Sequence, residues 1–222
     1  DGFYGSGLPW LTFLGPSPGG GDGKQPEFPR SATANRPFWN EDYTEPCVDW
    51  SPGFKCSIRI LIETILGRSC ELGALKLYNF LNFDWIQNPN AHKVPQERMQ
   101  RGSDAVVNHL ELSRPRTIVT LESRAHSLLK ETLSKTYQLR QADFEAVFIL
   151  TCNTKLGSRA HRSMDAYEII GEVGLGGSYV LRCPQHPARI FNQDYAHRVG
   201  RALRHTLLSL AEGQGPIRID ER

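Results

Sequence analysis

An apolar strand that runs straight into a loop of glycine and proline leaves few folds open. Residues 9–23 read Pro-Trp-Leu-Thr-Phe-Leu-Gly-Pro-Ser-Pro-Gly-Gly-Gly-Asp-Gly. The run from Trp10 to Leu14 has the aromatic and branched side chains of a short buried strand. Five glycines and two prolines follow within residues 15–23. Proline removes backbone donors and glycine carries the largest entropy cost, so this loop is neither helix nor sheet interior. Open α/β sheets place ligands at such a junction, outside the carboxyl ends of their strands. A Walker-type phosphate loop does not fit, because Pro18 stands where its first glycine belongs and Gln25 where its hydroxyl belongs. Gly15-Pro16-Ser17-Pro18-Gly19 also spells a serine-hydrolase elbow, with Ser17, Asp165 and His186 in chain order. Pro18 lacks the N–H which that elbow uses as its oxyanion donor. A plain turn with no ligand is the remaining reading.

At 222 residues the chain fits one large domain, residues 1–222. No apolar run approaches the roughly 18 residues of a membrane span, and no basic region precedes a long apolar core at the N-terminus. The expectation is a cytoplasmic monomer without membrane contact, nucleoid-associated in a bacterium. A net charge of +2 permits nucleic-acid binding without demanding it. The five cysteines are widely spaced with no C-x-x-C, which argues against a disulfide framework and against an iron–sulfur cluster. No metal and no redox cofactor is expected.

Further along, residues 24–52 form a long segment rich in proline and aromatics, including Phe28 and Phe38. A segment of this length is usually functional, though its rings can equally cover the core edge. Apolar spacing predicts helices over 54–66, 96–112 and 194–210. A buried strand is expected over 74–83, interrupted by Asn79 and Asn82. Pro115 ends the second helix, a β-branched strand follows from Thr117, and Ser123 is the expected N-cap of a helix over 124–133. Residues 146–151 read as a strand. Residues 153–162 read as a basic loop whose Lys155, Arg159 and Arg162 are either solvated or in contact with phosphates. Two strands over 168–173 and 178–183 flank a glycine-rich turn, and Pro184-Gln185-His186-Pro187-Ala188-Arg189-Ile190-Phe191 follows.

These motifs, in this order and over most of the chain, resemble the uracil-DNA glycosylase superfamily. Its first motif is a Gly-x-(Asp/Asn/Ala)-Pro-(Gly/Tyr) loop after an apolar strand. Pro-Arg-Thr-Ile-Val-Thr-Leu at 115–121 is similar to its third strand, with Glu122 in place of the usual glycine, and His186-Pro187-Ala188 to its second catalytic motif. The resemblance implies an α/β fold, a three-layer α/β/α sandwich with a short, mostly parallel sheet. The strands over 168–173 and 178–183 add more β structure than that core requires, a β insertion before its last strand. It implies an enzyme that flips out a damaged or modified pyrimidine in DNA and hydrolyses its N-glycosidic bond. His186 would donate a hydrogen bond to the base as negative charge develops on it. Gly15, Pro16 and Gly19 would line the base pocket and Phe28 (or Phe38) would stack on the base. Asn79, with Asn82 as the alternative, would read the base edge; capping of the next turn is the plainer role for either. Ser17 occupies the position of the water-positioning Asp or Asn, so that role passes to Asp22 or Asp84. Gly19 replaces a bulky tyrosine of the uracil-specific enzymes, which implies room for a C5 substituent. Arg189 or Ile190 would enter the gap in the duplex, and Arg162 would contact the backbone. A catalytically inactive fold that only binds modified DNA stays open, as does the serine hydrolase on Ser17.

Overall fold

The computed structural model describes residues 11–17, 52–67, 78–84, 93–141, 147–151, 159–163, 165–184, 186–189 and 193–212. Their order is β1 (Leu11–Gly15), α1 (Pro52–Leu66), β2 (Tyr78–Asn82), α2 (Gln96–Ser113), β3 (Thr117–Thr120) and α3 (Ser123–Leu133). Then come β4 (Gln138–Gln141), β5 (Val147–Thr151), β6 (Arg159–Ser163), β7 (Ala166–Ile170) and β8 (Tyr179–Arg182). A 3₁₀ turn (Pro187–Arg189) and α4 (Gln193–Glu212) complete the set.

Six strands form one sheet in the order β2-β1-β3-β8-β7-β4. The first four are mutually parallel. Strands β7 and β4 continue the sheet in antiparallel fashion. Strands β5 and β6 form a separate antiparallel pair. The architecture is α/β, with helices on both faces of a mostly parallel sheet, as expected of a three-layer sandwich.

Side chains alternate along each strand, so each parallel strand feeds two cores. Leu14, Leu81, Ile118 and Val180 form one core with Met99, Val106 and Leu110 of α2 and Leu128, Leu129 and Leu133 of α3. The alternate residues Leu11, Phe13, Val119 and Leu181 are also buried. Phe13 stacks on Phe80, with ring centroids 4.9 Å apart. On the other face α1 and α4 pack together closely. A Cβ at Gly200 would lie 2.6 Å from the Thr64 Cβ, and an Arg204 guanidinium nitrogen donates to the Ile65 carbonyl at 3.0 Å.

Helix α2 ends in a left-handed Arg114 (φ 47°), whose N–H bonds the Leu110 carbonyl at 2.7 Å. Pro115 then prevents continuation. Three expectations change, the strand expected over 168–173 among them, since it is β7, Ala166–Ile170, and residues 171–173 lie beyond it. Ser123 is the first residue of α3, not its cap; Glu122 caps it with an extended backbone and a side chain turned to Arg124. An extended φ of −149° suits any residue, so glycine is not required there. Residues 159–163 are a strand rather than part of a loop, because ladder hydrogen bonds to β5 need no apolar side chains. Strand β4 carries one apolar residue, Leu139, and its sequence gave no strand pattern.

Candidate functional site

Because β1, β2, β3 and β8 are parallel, their carboxyl ends share one edge of the molecule. The segments leaving that edge are tied together by their backbones. The Phe83 and Asp84 amides donate to the Gly15 and Pro16 carbonyls at 3.1 and 2.9 Å. The Leu121 amide donates to the Leu14 carbonyl at 2.9 Å, and the Cys183 amide to Thr120 at 2.8 Å. The Gly15-Pro16-Ser17 segment therefore lies between the ends of β2 and β3, with β8 one strand further. At about 4.8 Å per strand, β1 and β8 are about 10 Å apart.

Gly15 has a steric reason to be glycine. A Cβ there would sit 2.6 Å from Asn82 Oδ1, so the Asn82 side chain reaches over the Gly15 backbone. Asn82 is the last residue of β2, in register with Gly15, whereas Asn79 is the second, in register with Thr12. Of the two asparagines, Asn82 is therefore the one at the strand end, about 10 Å along the strand from Asn79. Ser17 is buried, and its Oγ has no hydrogen-bond partner among the described residues. Asp84 is buried beside the same loop, and its Oδ2 lies 2.5 Å from a guanidinium nitrogen of Arg98 on α2. Burying that carboxylate is tolerable because the arginine compensates its charge.

His186 follows the end of β8 and is half-buried, and its carbonyl accepts the Arg189 amide at 2.8 Å in the 3₁₀ turn. Pro187 is buried and Arg189 is exposed. The backbone of Arg162 lies in β6, paired with Phe148 of β5, away from the six-stranded sheet's hydrogen bonding. Asp22, Gly19, Phe28, Phe38 and Ile190 lie outside the described residues, as does Pro18.

A second polar group at this edge escaped sequence reading. His126 on α3 is 2 % exposed. Its Nδ1 lies 2.9 Å from Thr120 Oγ1 and its Nε2 lies 3.4 Å from Asp165 Oδ2. Asp165 also accepts from Gln141 Nε2 at 2.9 Å. The His126 imidazole facing it holds the Asp165 carboxyl below the usual carboxylate range, against an opposing effect of burial. Tyr167 is fully buried, and its ring meets that of His126 in a T-shaped contact, 5.3 Å between centroids. Burial raises its phenol pKa, and nearby Asp165 raises it further. The Asp165 that a Ser17 hydrolase would need for His186 is thus engaged by His126. The available signal was a histidine on the apolar face of α3, six residues after a strand-end threonine.

Among the described residues no group of three His, Cys, Asp or Glu side chains is arranged to hold a metal ion. No helix among them is long and apolar enough to cross a membrane. The chain matches no family model and no curated protein.

Proposed function

We propose that the chain is a monofunctional DNA glycosylase that excises an altered pyrimidine and leaves an abasic site. The observation that carries this reading is the common origin of its motif segments. The Gly15-Pro16-Ser17 loop, Asn82 with Asp84, and the His186-Pro187 segment all leave the same edge of four parallel strands. That edge is where open α/β sheets bind ligands. The reaction passes through an oxocarbenium-like sugar while negative charge builds on the departing base. His186 donates a hydrogen bond to that charge. Asn82, reaching over Gly15, reads the base edge with both halves of its amide. Asp84 or Asp22 positions the attacking water in place of Ser17. Glycine at position 19, where the uracil-specific enzymes carry tyrosine, makes thymine in a mismatch, an oxidised cytosine or a bulky phage-type modified cytosine the substrates to try.

The test is abasic-site formation on DNAs carrying uracil, mismatched thymine, 5-hydroxymethylcytosine and its glucosylated form. Alkali-labile breaks on one substrate, lost in His186→Ala, are the expected result. DNA binding without breaks on any substrate replaces the enzyme with a binding module.

A further inference from the structure

The chain leaves the sheet at Arg182 on its way to His186, and both neighbours of β8 hold it at that point. On one side Thr120, the last residue of β3, accepts the Cys183 amide on its carbonyl at 2.8 Å. On the other Asp165, immediately before β7, accepts the Arg182 amide at 2.8 Å. The His126 ring lies between the side chains of these same two residues across β8, with Nδ1 hydrogen-bonded to Thr120 Oγ1 at 2.9 Å and Nε2 facing Asp165 Oδ2 at 3.4 Å, beyond a well-formed hydrogen bond. The Thr120 hydroxyl is also 3.3 Å from the Leu181 carbonyl of β8. One imidazole therefore spans the three strand segments that fix where the His186 segment begins.

The protonation state of His126 decides how many of these bonds exist at once. A neutral ring that carries its proton on Nε2, toward Asp165, has a bare Nδ1, which takes the Thr120 hydroxyl as its donor. That hydroxyl is then lost to the Leu181 carbonyl. A protonated ring donates from both nitrogens, so the Thr120 hydroxyl turns back to Leu181 and grips β8. The other charged or titratable groups facing this cluster are few. Lys130 is one turn along α3, bonded to Gln141 Oε1 at 2.5 Å, with its Nζ 5.8 Å from the Tyr167 ring centroid. Arg182 and the Tyr167 hydroxyl stand near Asp165.

We propose that His126 is a positioning residue for the His186 segment, clasping the end of β8 between β3 and β7 more firmly when protonated than when neutral. The effect on excision rate rests on the glycosylase reading; the clasp itself does not.

The experiment follows the imidazole resonances of His126 and His186, with hydrogen exchange of the Arg182 and Cys183 amides, across the titration of His126. Protection of the two amides, corrected for intrinsic exchange, is expected to be about tenfold higher on the acid side, the size of one net hydrogen bond. The His186 resonance is expected to move with the His126 titration. In His126→Gln, which does not titrate, both responses vanish. Thr120→Val, a milder change that keeps the backbone bonds, also flattens them. Where the wild type excises a base, its single-turnover rate gains a dependence on His126 protonation that His126→Gln lacks, with DNA affinity unchanged. Amide protection and a His186 resonance indifferent to the protonation of His126 would overturn the proposal. A wild type that excises nothing sinks the glycosylase reading, and the two resonances and amides still decide the clasp.

Discussion

At the carboxyl ends of the parallel strands the chain buries polar side chains against one another, whereas at their amino ends it exposes apolar ones. The carboxyl edge holds Asp84 against Arg98 and Thr120 against His126 and Asp165, with Asn82 laid over Gly15. The amino edge, around Arg114 and the 171–177 turn, has a cavity of about 690 Å³ lined by Glu111, Leu112, Tyr137 and Val173 among others. Leu112 and Val173 are 80 % and 79 % exposed there. One phenol holds that edge together, since the Tyr137 hydroxyl donates to Glu111 at 2.6 Å and accepts the Leu175 amide at 3.3 Å. A buried polar set is costly if any member is removed, so the carboxyl edge is built to keep its geometry. The amino edge tolerates change because its exposed side chains have little to lose.

The comparison breaks most visibly on function. His186→Ala is expected to lower abasic-site formation about a hundredfold or more, the usual cost of removing a donor to developing charge. The fold, read by urea unfolding, should be unaffected. An equal loss from a change at the amino edge would remove the distinction between the two ends.

The next effect is on stability. Gly102 of α2 presses on the chain just past the end of β2, where a Cβ would come 1.8 Å from the Phe83 carbonyl oxygen. Alanine usually stabilises an exposed helix interior by about 1 kcal/mol over glycine. Here Gly102→Ala should instead cost about 3 kcal/mol in urea unfolding, because the neighbour is backbone and must move. An unchanged unfolding midpoint would mean that the carboxyl edge is softer than its contacts imply. Asp84→Asn removes the charge facing Arg98, whose Nε already lacks a partner among the described residues. A loss of about 2 kcal/mol is expected, typical of a hydrogen bond to a charged group.

The two edges should also answer pH in opposite directions. The Asp165 carboxyl lies below its ordinary value of 3.8, chiefly through the His126 imidazole that faces it. Its contribution is therefore present above that value and is lost as acidification passes through the lower folded one. Thermal melts should show a steeper acid decline in wild type than in Asp165→Asn. Tyr137 behaves the other way. Burial and its bond to Glu111 raise its pKa above 10.0, so its contribution holds below pH 10.0 and fades as alkali ionises it. Tyr137→Phe should cost about 1 kcal/mol at neutral pH and blunt the alkaline decline.

Much of this contrast was legible in the sequence on its apolar side. Helix α2 was foreseen because Met99, Val106, Val107 and Leu110 repeat at helical spacing, and β1 because five residues in a row suit a strand buried on both faces. The polar side was legible only as fragments. Asn82 and Asn79 are equivalent as letters; register with Gly15 separates them, and register is a property of two strands. His126 carries no motif, since its meaning comes from Thr120 and from Asp165, 39 residues further on. Strands β4 and β6 were hidden because backbone pairing at a sheet margin leaves no hydrophobic alternation to read.

The smallest expected effect sharpens the comparison from its quiet end. Leu112 closes the exposed face of α2 and Val173 sits in the glycine-rich turn, both almost as open as in an unfolded chain. Little apolar area returns to water when the protein unfolds around them, so their transfer term is small. Leu112→Ser and Val173→Ser should each shift stability by no more than about 0.5 kcal/mol, the range of ordinary surface changes. Substitution of Leu14, buried between the sheet and α2, offers the contrast: Leu14→Ala should cost about 2–5 kcal/mol through the cavity it leaves. A cost at Leu112 or Val173 approaching that of Leu14 would show these side chains to be covered in solution, and the exposed apolar edge would then have to be redrawn as an interior.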